Sequence, residues 1–271
     1  MKWNQFILIN ACLLLGISCG TRLKVDVQQE GRIPQSPQAY VAIVEQTGSD
    51  LPAENRLGNL SVGPAKDWCD YLSVISVAKQ TARQMGGNLL LITNKEQNKK
   101  GCLGLEAQVF RVQELSPWTG KILWDQQRPL RPSDFRAAPS LSLQANALTY
   151  SGFFIELERD LTSDRPRLLS YTFFDPAQSW IQPKDRGNAA LLAHEQLHFD
   201  LSEWVRRDLE QALNRLNPAE ADYMDQINTT FDQYLLRLDS LQKAYDRETR
   251  HGLIGDQQAR WAQKIEEGLQ H

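Results

Sequence analysis

Apolar and polar residues alternate in short runs through the first half of the chain. Between residues 38 and 112 the runs that carry a pattern are 38–46, 55–63, 70–85, 88–93 and 105–112. The third run has apolar residues every three or four positions, which predicts a helix that Gly86-Gly87 ends, and the other four predict strands. The order β-β-α-β-β predicts a small α/β sandwich domain over residues 38–115.

The pattern changes to long helices in the second half. After a linker at 116–122, the aromatic-rich run 147–161 predicts a strand, and the run 168–180 predicts another, which Asp175-Pro176 ends. Helical spacing then predicts helices over 188–216, 217–250 and 256–268. Asn188 and Asn217 are the predicted N-caps, and two long helices with a short link pack antiparallel. Residues 123–271 are therefore predicted as a second domain, and the chain as an α+β protein.

The N-terminus has the layout of a bacterial secretory signal. Lys2 precedes an apolar run over residues 6–17, and small residues follow. This layout predicts a signal peptide over residues 1–19 and export to the cell envelope. Cys19 resembles the lipidated cysteine of a lipoprotein, which predicts a membrane anchor; the alternative is a cleaved soluble protein with an incidental cysteine. The polar residues 20–37, with two prolines, are predicted to be a tether.

The cysteine count fits an exported protein. Of the four cysteines, Cys12 leaves with the signal peptide and Cys19 takes the lipid. Cys69 and Cys102 remain, and an even pair in an oxidising compartment predicts a disulfide. The alternative is two buried free thiols.

Composition narrows the class of partner. The 271 residues are 41% hydrophobic and 23% charged, which is ordinary for a globular protein. The formal net charge of -3 gives no basic excess to hold a phosphate backbone. Nucleic acid is therefore not expected as a partner.

The segment LLAHEQLHFD holds candidate chemistry. His194 and His198 are one helical turn apart, so both imidazoles can reach one metal ion. Glu195 is rotated by about 100° around the helix, which places its carboxylate beside the ion's open position. Zinc lowers the pKa of a water molecule towards ~7, and Glu195 can act as the general base. The arrangement predicts a zinc-dependent hydrolase.

The third zinc ligand is open to several candidates. The candidates are His251 first, then Glu248, Asp246 and Asp239. A straight hairpin turning at Asn217 places residues 236–240, including Asp239, opposite His198. Glu248 and Asp246 are also candidates for orienting a ligand through a hydrogen bond instead of binding the metal.

Two other groups near the motif are open to a functional and a structural interpretation. Tyr245 is a candidate stabiliser of a developing oxyanion, although packing in the core is the commoner role for such a tyrosine. The four charged residues Asp200, Glu203 and Arg206-Arg207 predict a solvated helix face.

Several segments resemble a bacterial family. HEQLHFDLSEWVRRDL, YDRETRHG and the lead-in RPLRPSDFRAAP resemble a family of proposed zinc-dependent metallopeptidases that is catalogued as of unknown function. The resemblance covers roughly residues 123–269. It implies that His194 and His198 are ligands and that Glu195 is the general base. The block Thr249–Gly252 implies His251 as the third ligand.

The sequence therefore predicts an envelope lipoprotein whose second domain hydrolyses peptide bonds with zinc-activated water. The expected partners are a peptide or protein substrate and a membrane, bound through the lipid on Cys19. The alternative is a non-catalytic envelope lipoprotein that binds a partner through the small domain. Glu195 argues against the alternative, because a purely structural metal site has no use for it.

Overall fold

A computed structural model of the chain describes residues 23–28, 33–45, 51, 53–64, 69–140, 145–160 and 166–270. The predicted signal peptide, with Cys12 and Cys19, lies outside the described residues. The chain divides into two compact units, the first formed by residues 1–118 and 157–167 and the second by residues 119–156 and 168–271. The predicted α+β class is confirmed. Within the described ranges, no helix combines the length and the hydropathy needed to cross a membrane.

The first unit is a sheet with one helix on it. Its elements are β1 (Leu23–Val27), β2 (Ala42–Val44), β3 (Arg56–Val62), α1 (Tyr71–Gln84), β4 (Leu89–Gln97) and β5 (Leu103–Phe110). The strand order is β1-β3-β5-β4-β2, and β2 pairs with β4 in parallel while the other pairs are antiparallel. One face of the sheet buries Leu60 and Val109 against Val74 and Val77 of α1. The predicted β-β-α-β-β order is found in β2, β3, α1, β4 and β5.

Strand β1 lies within the segment that the sequence predicts to be a tether. Its five residues pair antiparallel with β3, from Leu23 opposite Val62 to Val27 opposite Gly58. Gly58 allows this close approach, because a Cβ there would lie 2.0 Å from the carbonyl oxygen of Asp26. Residues 23–27 are therefore part of the first unit.

The predicted disulfide is confirmed. Cys69 and Cys102, 33 residues apart, form a disulfide. Cys69 precedes Asp70, whose carboxylate caps α1 by accepting a hydrogen bond from the backbone N–H of Ser73 at 2.9 Å. Cys102 precedes β5. The disulfide thus joins the start of the helix to the start of the last strand.

The rest of the chain contributes short strands and three longer helices. These elements, some of which cross the boundary between the units, are α2 (Ser116–Thr119), β6 (Ile122–Leu123), β7 (Ala147–Leu148), β8 (Ser151–Arg159), β9 (Pro166–Phe174), β10 (Trp180–Ile181), α3 (Ala189–Leu213), α4 (Tyr223–Thr249) and α5 (Gly255–Gln270). The strands form one sheet in the order β6-β9-β8 and a second sheet of β10 and β7.

The three longer helices share one hydrophobic core. The buried side chains that they contribute to it are Leu201, Val205, Leu209, Leu213, Tyr223, Ile227, Leu238, Tyr245, Trp261 and Ile265. Because every one of these helices supplies at least two of the side chains, the positions of the helices depend on one another.

Residues 157–167, which include the end of β8 and the beginning of β9, belong to the first unit, although they were predicted to lie in the second domain. Glu158 forms a bidentate, fully buried ion pair with Arg83 of α1, with N–O distances of 2.7 and 2.8 Å. The backbone N–H of Arg159 donates to Oγ of Ser76 in the same helix at 2.9 Å. These contacts explain why residues 157–167 cluster with α1 rather than with the helices that follow them in sequence.

The predicted solvated face of α3 is partly buried. Glu203 is only 5% exposed and accepts hydrogen bonds from Arg206, Arg207 and Thr172, each at 2.8 Å. Burial raises the pKa of Glu203, but the hydrogen bonds and charge of Arg206 outweigh burial and hold the pKa below its usual range. The prediction of a solvated face is therefore wrong at Glu203, because charges that pair can be buried.

Candidate metal centre

Helix α3 places the two histidines of the motif on one buried face. Asn188 caps the helix as predicted, since its side chain accepts from the backbone N–H of Leu191 at 3.1 Å. His194 and His198 are buried, and their Nε2 atoms lie 3.2 Å apart. One turn of helix thus brings two potential ligand atoms together.

Asp246, near the end of α4, completes a triangle with these histidines. Its Oδ1 atom lies 3.1 Å from Nε2 of His194 and 3.0 Å from Nε2 of His198. Ligand atoms bound tetrahedrally to zinc at 2.0–2.1 Å lie roughly 3.3–3.4 Å from one another. The three atoms are therefore spaced almost as one face of such a tetrahedron.

Two glutamines that were not predicted as site residues contact the other nitrogen of each ring. The amide nitrogen of Gln242 donates to the carbonyl oxygen of His198 at 2.9 Å and to Oγ of Ser202 at 3.3 Å. Its carbonyl oxygen therefore faces Nδ1 of His198 and accepts a hydrogen bond from it. Oε1 of Gln258, in α5, lies 3.1 Å from Nδ1 of His194. With the proton on Nδ1, each ring presents the Nε2 lone pair to the triangle.

The electrostatics of the triangle favour a cation. Burial lowers the pKa of His198, but the hydrogen bond to Asp246 and the charges of Glu195 and Asp246 outweigh burial and raise the pKa above its usual value. Burial raises the pKa of Asp246, but its hydrogen bonds to both histidines outweigh burial and hold the pKa well below the usual range. Two lone pairs and a carboxylate oxygen that converge within hydrogen-bonding distance need a proton or a metal ion between them.

Glu195 lies next to this triangle in α3. Its side chain is 4% exposed, and among the described residues its carboxylate has no hydrogen bond or ion pair. The charge of Glu195 contributes to the raised pKa of His198. A buried carboxylate that no other side chain engages is available to accept a proton.

Tyr245 packs against both rings. It is fully buried, its ring stacks on His194 with centroids 4.6 Å apart, and it meets His198 edge-on at 4.8 Å. Its hydroxyl donates to Oε1 of Gln258 at 2.9 Å. Burial raises the pKa of Tyr245 far above its usual value. These contacts give Tyr245 the packing role, which is the commoner of the two roles considered for it.

His251 reaches the same site from the turn after α4. Its Nδ1 lies 3.3 Å from Oδ1 of Asp246, while its side chain is 76% exposed. The ligand atoms of His194, Asp246 and His251 all lie within 4.8 Å of one another. The structure therefore brings both His251 and Asp246 to the motif.

The carboxylates of the remaining two candidates are engaged elsewhere. Glu248 accepts from the indole N–H of Trp261 at 2.9 Å. Asp239 is exposed and pairs with Lys243 at 2.7 Å. Neither carboxylate contacts the triangle.

The helix register explains why Asp239 is not opposite the motif. Helix α4 begins at Tyr223, not at Asn217. The side chain of Asn217 accepts from the backbone N–H of Ala219 at 3.1 Å, so it caps a turn in the connection. Because α4 begins later than predicted, the residues of α4 that face His198 are Gln242 and Asp246 rather than the predicted residues 236–240.

The fold and the site define an α+β protein with a candidate cation site between two antiparallel helices. Residues 156–252 match the model of a family described as a bacterial protein of unknown function (DUF922). The match spans roughly a third of the chain and includes α3, α4 and the turn up to Gly252. No curated protein and no solved structure matches the chain.

Proposed function

We propose that this chain is a zinc-dependent metallopeptidase of the bacterial cell envelope. The observation that carries the proposal is the triangle of His194 Nε2, His198 Nε2 and Asp246 Oδ1, with edges of 3.0–3.2 Å. Two imidazoles and one carboxylate are a ligand set used by catalytic zinc sites. The glutamines behind the rings support the same assignment, because metal-binding histidines normally donate their other N–H to an acceptor.

The chemistry then follows from the position of Glu195. Bound zinc lowers the pKa of water and polarises a substrate carbonyl. Glu195 accepts a proton from the attacking water as the water oxygen bonds to the carbonyl carbon. When the carbon–nitrogen bond breaks, Glu195 delivers this proton to the leaving amine. The carboxylate is thereby regenerated, and the products are a carboxylic acid and an amine.

The location and the partners are part of the proposal. The apolar N-terminal run and Cys19 support export and lipid anchoring, and the disulfide between Cys69 and Cys102 suits an oxidising compartment. The proposed partners are a peptide or protein substrate and a membrane. The family description, a bacterial protein of unknown function, adds nothing on the substrate.

The proposal is tested by zinc content and by hydrolysis of a quenched fluorescent peptide library, using the full chain. Glu195→Gln keeps the shape of the side chain and removes the base. Glu266→Gln, the same change at an exposed position of α5, is the matched control. We expect about one zinc per chain in all three proteins, and a loss of hydrolysis of roughly 10²–10⁴-fold in Glu195→Gln alone.

Two outcomes contradict the proposal. If purified wild-type protein lacks stoichiometric zinc, the proposed metal centre is wrong. If zinc is stoichiometric but no peptide is hydrolysed, or if Glu195→Gln leaves hydrolysis unchanged, the assignment as a peptidase is wrong. Either result would favour a non-catalytic envelope protein.

A further inference from the structure

Four side chains approach the site, which is one more than a catalytic zinc needs. Such a zinc has three protein ligands and leaves one position for water or substrate. His194, His198, Asp246 and His251 all offer a ligand atom. One of the four is therefore expected to differ in role from the others.

His251 differs from the other three in how its side chain is held. The side chains of His194, His198 and Asp246 are 2%, 11% and 32% exposed, whereas that of His251 is 76% exposed. One glutamine fixes each of the two motif rings. Among the described residues, the imidazole of His251 has a polar contact only with Asp246. Rotation of its side chain breaks this one contact.

The backbone beneath His251 is fixed by contrast. Arg250, His251 and Gly252 have φ of 47°, 55° and 80°, all in the left-handed region that side chains rarely adopt. Thr249 holds the turn, since its Oγ1 donates to the carbonyl oxygen of Tyr245 at 2.7 Å and accepts from the N–H of Gly252 at 3.2 Å. Strained backbone beside a functional site is commonly part of its mechanism.

The position of Gly252 shows how closely the turn is packed. A Cβ on this residue would lie 3.1 Å from Cβ and Cγ of His194. The turn therefore presses against a motif histidine and presents the adjacent side chain, His251, to the site. The backbone is set in place while the imidazole stays movable.

We propose that His251 is an exchangeable fourth ligand, which binds the metal in the resting protein and rotates away when substrate arrives. This inference rests on the proposed metal centre. It assigns the permanent ligands to His194, His198 and Asp246. It also gives the site a resting form in which His251 competes with small molecules for the metal.

The test compares His251→Ala with Asp246→Asn, with Arg250→Ala as the control in the same turn. Zinc affinity is measured by competition with a chromogenic chelator, and circular dichroism checks that each variant is folded. We expect His251→Ala to retain one zinc with an affinity within roughly 10-fold of wild type, and Asp246→Asn to lose roughly 100-fold or more. Arg250→Ala is expected to match wild type.

A second readout uses cobalt(II) in place of zinc and azide as the probe. Removal of the competing imidazole is expected to change the visible spectrum and to tighten azide binding by roughly 10-fold, a factor set by the loss of one competing ligand. If His251→Ala loses the metal as Asp246→Asn does, His251 is an obligatory ligand and the inference is wrong. An unchanged spectrum and azide affinity also overturn it, because His251 then does not bind the metal. A wild type that binds neither metal contradicts the proposed function instead.

Discussion

Gln242 provides a sharp test of the metal centre, because its loss should affect metal binding more than folding. Replacement by leucine removes the acceptor for Nδ1 of His198. The other groups keep partners: Ser202 Oγ still donates to the carbonyl oxygen of His198 at 3.2 Å and bonds Ser151 at 2.9 Å. The substitution therefore leaves one buried N–H without an acceptor.

The size of the effect depends on whether metal is bound. Without metal, His198 can move its proton to Nε2 and donate to Asp246, 3.0 Å away, so much of the cost is avoided. A metal on Nε2 forces the proton back to Nδ1, where a buried unpaired donor costs about 1–3 kcal/mol. That range corresponds to a zinc affinity lowered by roughly 5–150-fold.

The assay is zinc competition with a chelator, together with urea unfolding in the presence of EDTA. Gln242→Leu should lose zinc affinity by the stated factor, while its metal-free stability falls by about 1 kcal/mol or less. Gln242→Glu keeps an acceptor for Nδ1 but loses the donor to the carbonyl oxygen of His198, so it should bind zinc at least as tightly as wild type and lose stability. Wild-type zinc affinity in Gln242→Leu, or weaker binding in Gln242→Glu than in Gln242→Leu, would refute the reasoning.

Three further changes test the fold around the site. Gly252→Ala should lower the free energy of unfolding by about 1–3 kcal/mol, because φ is +80° and an added Cβ would lie 3.1 Å from its nearest neighbours. Gly255→Ala is the control in thermal denaturation, because a Cβ there would meet nothing within 4 Å. Equal losses of stability in the two variants would contradict the strain argument. Replacing Cys69 and Cys102 together by serine should destabilise the first unit by about 4 kcal/mol, from the chain entropy of a loop with 33 residues of separation, and pulse proteolysis measures this. Glu203→Gln should lower the free energy of unfolding by its full amount above pH 4.5, the ordinary pKa of a glutamate. The difference from wild type should shrink as the pH falls through the lower pKa that Glu203 has in the folded protein. A difference in urea unfolding that stays constant with pH would contradict the pairing of the ionised carboxylate.

Local periodicity accounts for the features that were predicted correctly. Strand and helix patterns depend on neighbouring residues, so the order β2, β3, α1, β4 and β5 in the first unit and the long helices of the second could be predicted directly. His194, Glu195 and His198 belong to one helix, and their spacing alone fixes their relative positions. Even β1 carries a signal, because LKVDV alternates apolar and polar residues.

The parts of the site that come from other helices could not be predicted in this way. Gln242 and Gln258 lie 44 and 64 residues from the histidines that they contact, and the helix register alone brings them there. That register depends on where α4 begins, and the capping pattern at Asn217 is ambiguous. An asparagine side chain that accepts from a nearby backbone N–H stabilises a turn as well as a helix start.

With the lipid that we propose on Cys19, strand β1 would also limit how far the first unit can stand from a membrane. Three residues separate Cys19 from Leu23, the first residue of β1. A chain step spans at most about 3.6 Å, so these four steps cover roughly 14 Å. With the lipid on Cys19 that we propose, the edge of the first sheet is held at the bilayer surface. The first unit would then search a thin layer above the lipid rather than the volume that a flexible connection over residues 20–37 would allow.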